Sequence, residues 1–69
     1  MPIQHKKPFG IYHWDTFDNE TILIDEADTL KEAEKKVEEQ YNGRIRSNGA
    51  DKVDIVDLEG NVVRSYHVG

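Results

Sequence analysis

One capped helix sets the terms for this chain. In "DTLKEAEKKVEEQYNG", residues 28–43, Thr29 is followed three positions later by Glu32. That is the spacing of a capping box, in which each side chain satisfies the other residue's free backbone N–H. Asp28, just ahead, puts negative charge at the positive end of the helix dipole. "LKEAEKKVEEQY" is built of strong helix formers, and "NG" at 42 and 43 supplies a left-handed stop. The apolar positions Leu30, Ala33, Val37 and Tyr41 recur at spacings of three and four. So narrow a stripe covers one face of something else and leaves the rest of the helix in water.

The sequence on either side says what is covered. "FGIYHWD" (9–15) is rich in aromatic and β-branched residues and reads as a strand, and "TILIDE" (21–26) as a second. Between them "TFDNE" is a turn in which Asp18 and Asn19 suit local backbone hydrogen bonds, so the two strands form an antiparallel hairpin. After the helix, "GRIRSNGADK" (43–52) is a loop with Ile45 tucked inward. "VDIVDL" (53–58) and "NVVRSYHV" (61–68) are strands, joined by a tight turn at Glu59 and Gly60 with Gly60 left-handed. Residues 1–8 end in Pro8, lack periodicity and read as a flexible N-terminal arm, ahead of a single small domain spanning 9–69.

The element order strand, strand, helix, strand, strand predicts an α+β fold, a small antiparallel sheet of about four strands with one helix packed on one face. The strand–strand–helix opening, with "TLKEAEKKV", resembles the arm-binding domains of tyrosine recombinases and several small bacterial proteins. That resemblance implies an element order and no site residue.

One helix cannot cover two faces. Strand alternation puts Phe9, Ile11 and His13 on one side and Gly10, Tyr12 and Trp14 on the other. Likewise Val53 and Ile55 oppose Val56 and Leu58, and Val62, Tyr66 and Val68 oppose Val63 and His67. Large apolar groups therefore fall on both faces, and a soluble monomer seldom exposes a broad apolar patch without using it. The face away from the helix is expected either to be covered by side-chain curl, the N-terminal arm and the 43–52 loop, or to be a contact surface for a second copy or for another protein. A domain of 69 residues buries only about 60% of its unfolded surface, so dimerisation is the plainer use.

Charge separates the remaining function classes. The net charge is -5, and residues 8–30 carry six acids with no lysine or arginine. Such a balance disfavours general nucleic-acid affinity and attraction to anionic membranes. Asp15, Asp18, Glu20, Asp25 and Glu26, beside Trp14 and Phe17, are expected to present a negative surface to a basic protein, steering its approach. Tyr12, Trp14, Asp15, Phe17, Asp18 and Glu20 are accordingly the candidate protein contacts. The alternative is a nucleic-acid module in which Lys6, Lys7, Arg44, Arg46 and Lys52 converge and the sheet aromatics stack on unpaired bases.

Catalysis and cofactors find little support. The absence of cysteine removes disulfides, thiolate metal sites and cysteine nucleophiles. His5, His13 and His67 have no close-spaced partner, and zinc needs three or four converging ligands. Asp15, Asp18 and Glu20 lack the central glycine of a calcium hand, and no Walker pattern is present. Ser47 and Ser65 have no evident base. The expectation is a non-enzymatic domain without cofactor or metal. No apolar run is long enough to span a bilayer and "MPIQHKKPFG" lacks a signal-peptide core, which points to the cytoplasm.

Overall fold

The computed structural model describes residues 3–69, and its helix forms where the cap predicts it. In chain order the elements are β1 (Phe9–Asp15), β2 (Glu20–Ala27), α1 (Leu30–Gln40), β3 (Asp51–Val56) and β4 (Val62–Val68). Thr29 Oγ1 accepts the Glu32 N–H at 3.1 Å. The Glu32 carboxylate turns instead to Lys36 Nζ, 3.7 Å away and one turn on. At the other end the Tyr41 N–H donates to the Val37 carbonyl, and Gly43 lies left-handed at φ 77°.

The four strands form one antiparallel sheet in the order β2-β1-β3-β4, so the fold is the expected α+β arrangement. Direct register partners share a face, which assigns every side chain. Ile11 faces Asp25 and Ile55, and Val53 faces His13 and Tyr66, on the helix side. There Ala33, Val37 and Tyr41 of α1 close over Ile11, Ala27, Val53, Ile55, Tyr66 and Val68, the core of the molecule, while Phe9, Ile24 and Leu30 flank it. Lys36 Nζ ties the helix to β2 through Asp25 Oδ1 at 3.3 Å and the Glu26 carbonyl at 2.6 Å.

Two bulges correct the simple alternation. Ile24 is the extra residue opposite the Ile11–Tyr12 step, so that Ile24 joins the core while Asp25 still reaches the helix. Val63 is the extra residue opposite Ile55–Val56, and it reverses the phase of β4. Val62 therefore pairs with Val56 on the face away from the helix, whereas alternation put it with Tyr66 and Val68.

The second hairpin also starts and stops earlier than its sequence suggests. Asp51 and Lys52 already pair with Val68 and His67, and Asp57 leaves the ladder to fold the turn. Its Oδ1 accepts the Glu59 and Asn61 N–H groups, each at 2.9 Å, and Gly60 sits left-handed at φ 87° as expected. Leu58 is consequently an exposed turn residue and not part of the sheet face. Ile45 bridges Val68 through its backbone, but its side chain stays exposed rather than tucked inward. Residues 44–46 thus close the outer edge of β4 at its end, with Arg46 N–H on the His67 carbonyl and Gly69 N–H on that of Arg44.

The first eight residues depart furthest from expectation. The two at the very start lie outside the described residues. In the segment read as a flexible arm, residues 4–7 are tied down on the face opposite the helix. The Gln4 and His5 N–H groups donate to Tyr12 Oη at 2.8 and 3.3 Å, and those of Lys6 and Lys7 donate to Glu26 Oε1. The His5 ring lies on Gly10, where any Cβ would collide with it. Beneath this segment Tyr12 is 3% exposed and Val56 is fully buried. The centre of the face expected to be open is covered by the chain itself.

Candidate functional site

With the centre of that face covered, the most accessible candidate surface is the far end of the β1–β2 hairpin. It exists because Asp15 folds its own turn. Asp15 Oδ1 accepts the N–H of Phe17 at 2.9 Å and of Asp18 at 3.4 Å, a short polar side chain standing in for backbone acceptors. Asn19 adopts the left-handed conformation at φ 55°, which asparagine tolerates better than most residues, and its Oδ1 accepts the Trp14 indole N–H at 3.4 Å. Phe17 is left at the apex, 95% exposed.

The turn is anchored from across the sheet. Asp51 Oδ1 of β3 accepts the Thr16 N–H and hydroxyl at 3.4 and 3.3 Å, and its Oδ2 accepts from His13 Nε2 at 3.3 Å. His13 Nδ1 lies 2.7 Å from the Tyr41 hydroxyl at the end of α1. If Nε2 carries the ring proton for Asp51, Nδ1 is the acceptor and Tyr41 the donor. A continuous chain of hydrogen bonds therefore runs from the helix end to the hairpin tip. The Thr16 amide above all holds the Asp51 carboxyl below its ordinary range. Burial pushes the Tyr41 phenol up, so this hydroxyl keeps its proton and serves as a donor.

The six candidate contacts divide on this geometry. Phe17, Asp18 and Glu20 project at the tip, and Trp14, 36% exposed, flanks them on the face away from the helix. Asp15 is occupied in holding the turn. Tyr12 is excluded, being buried under residues 4–7. Asp25 and Glu26 drop out of the expected acidic surface as well. Burial pushes the Asp25 carboxyl up, but the Glu26 amide, Lys36 and Gln40 outweigh it and hold the group below its usual range. Glu26 is lowered chiefly by the Lys6 and Lys7 amides. Ile22, absent from the candidates, is half exposed at the same end, since it pairs with His13 outside the last contact of the helix, Tyr41. Its signal was legible only as one more apolar strand position.

The basic set does not converge. Lys6 and Lys7 sit beside Glu26 and Asp28, at the β2 edge and the end of the sheet where Glu26, Gly10, Val56 and Val62 line up. Arg44 and Arg46 lie beside Val68, at the other end and the other edge. Lys52, between Trp14 and His67, lies at the same end as Arg46, one strand in from it, and far from Lys6 and Lys7. His13 faces the helix, whereas His67 shares the opposite face with Lys52, on strands that are not neighbours. An open groove of about 570 Å³ lies between α1 and β4 over Tyr66, but its Arg64 is already paired with Glu34 at 3.4 Å.

No protein-family model matches the chain, and no curated protein or solved structure shows significant similarity to it. The resemblance in element order to recombinase arm-binding domains thus stands without a matching relative. None of the described helices is long and apolar enough to cross a membrane.

Proposed function

We propose that this is a non-catalytic, cytoplasmic protein-binding domain whose contact site is the tip of the β1–β2 hairpin. The observation that carries the reading is Phe17, an aromatic ring 95% exposed at the apex of a turn fixed from inside by Asp15 and from outside by Asp51. A pre-ordered aromatic loses little conformational freedom on binding and fills a pocket with a large apolar area. Trp14 and Ile22 extend that area on either side of the hairpin, while Asp18 and Glu20 supply the rim.

The partner's chemistry follows from the charge. Residues 8–30 contain no lysine or arginine, and Lys52 beside Trp14 offsets only part of the charge of Asp15, Asp18 and Glu20, so the favoured partner is a basic protein with an apolar pocket inside its positive patch. A second copy meeting tip to tip would set Asp18 and Glu20 against themselves. The nucleic-acid alternative gains no observation of its own, because Lys6, Lys7, Arg44 and Arg46 lie at opposite corners.

Three immobilised proteins test the proposal: the wild type, Phe17→Ala, and the double variant Asp18→Asn with Glu20→Gln, each exposed to the same soluble extract. A basic protein retained by the wild type should lose affinity about 30-fold or more with Phe17→Ala, the weight of a central aromatic anchor. The charge-neutralised pair should weaken binding mainly through slower association, most visibly at low salt. Phe17 and the two acids make no buried contact, so circular dichroism should be unchanged. Equal retention by all three proteins contradicts the assignment.

A further inference from the structure

Outside the hairpin, the least expected group in the molecule is His5. It is 4% exposed in a segment that its sequence gives no reason to order, and its Nε2 is buried with no hydrogen-bond partner among the described residues. Its Nδ1 lies 2.6 Å from Tyr12 Oη. That oxygen already accepts the Gln4 and His5 N–H groups, which use both of its lone pairs. The phenol proton is then the only hydrogen left to fill the third contact. Tyr12 donates, and His5 Nδ1 accepts. The docked ring is therefore the neutral tautomer with its proton on Nε2.

A protonated ring has no place in this arrangement. A proton on Nδ1 would point at an oxygen whose acceptor capacity is full, and the charge would be shared with an Nε2–H that meets no acceptor. Charged groups face the ring from three directions. From β2 the Glu26 carboxylate attracts an imidazolium; it is engaged first by the Lys6 and Lys7 amides, and the His5 ring is a lesser influence on it. From β3 Asp54 lies across from Tyr12, bound to the Ser65 hydroxyl, while Val56 beside it offers no charge. Lys6 and Lys7, on the segment itself, oppose a further positive charge.

We propose that residues 3–7 form a proton-operated strap, which holds the sheet face closed while His5 is neutral and leaves it when Nδ1 takes a proton. Release bares Gly10, Tyr12 and Val56, a strip continuous with the exposed side chain of Val62 and with Trp14 on the same face. The face that the sequence marks as a contact surface is then present but conditional. The strap does not depend on the hairpin tip being a binding site.

The test uses the intact chain and follows the Lys6 and Lys7 amides by hydrogen exchange from pH about 8 to about 5, alongside the ¹⁵N shifts of the His5 ring. Protection of both amides, corrected for the intrinsic rate, should fall about tenfold or more, with the same midpoint as the ring titration. Gly10→Ala removes the space for the ring and should give at pH about 8 the unprotected amides of the acid form. Amides that stay protected across the range overturn the proposal. So does a loss of protection whose midpoint differs from that of His5. If Gly10→Ala does not fold, the wild-type titration decides alone.

Discussion

Single side chains here act by standing in for backbone partners. Thr29 closes the start of α1, Asp15 the first turn, Asp57 the second, and Glu26 the amides of residues 6 and 7. Replacing Thr29 by Ala should destabilise the fold by about 1 kcal/mol, measured by urea unfolding with an unchanged slope. A larger change would mean that Thr29 does more than cap. Residues whose partners are near in sequence were legible in advance: Thr29 and Glu32 are three apart, and Gly60 sits in a turn whose partners are all local. His5 was not, because its fit depends on a phenol seven residues on and a glycine that leaves room for its ring. No local pattern carries that information.

At the level of elements, the helix-to-sheet assembly follows from periodicity, and its stripe of Ala33, Val37 and Tyr41 is buried as read. The bulges at Ile24 and Val63 were invisible, since an extra residue in a strand leaves the apolar composition unchanged and shifts only its phase. Phase error is why Val62 was assigned to the wrong face. The tie between α1 and β2 has a pH signature. The Asp25 carboxyl is lowered in the folded state, so its stabilising contribution is complete above the ordinary carboxylate range and is lost as pH falls through the lowered value. Asp25→Asn should therefore be less stable than the wild type at neutral pH, by under about 1 kcal/mol for a partly exposed pair. The difference should vanish as pH falls through that lowered value. A gap that persists in acid would assign the loss to packing.

Across the whole molecule, strand alternation makes a two-faced sheet and correctly puts Tyr12, Trp14 and Val56 away from the helix. Cover by the N-terminal arm and the 43–52 loop, a second copy and another protein all fit that second face, and alternation has no means of choosing among them. The N-terminal residues lack apolar periodicity, yet they cover the centre of the face with one ring and four amides, which no hydrophobic pattern records. What remains exposed includes Leu58, Val62 and Val63 at the second hairpin and, at the tip of the first, Trp14, Ile22 and a Phe17 that stands among acids.

Whether the chain closes its own sheet and keeps the hairpin for a different partner shows first in its mass in solution. Light scattering at pH about 8, the upper end of the exchange series, should give the monomer mass of 8.0 kDa at every concentration up to the millimolar range. A dimer that survives dilution to low micromolar would place a second copy where the strap now lies, or at the tip, and would contradict that arrangement.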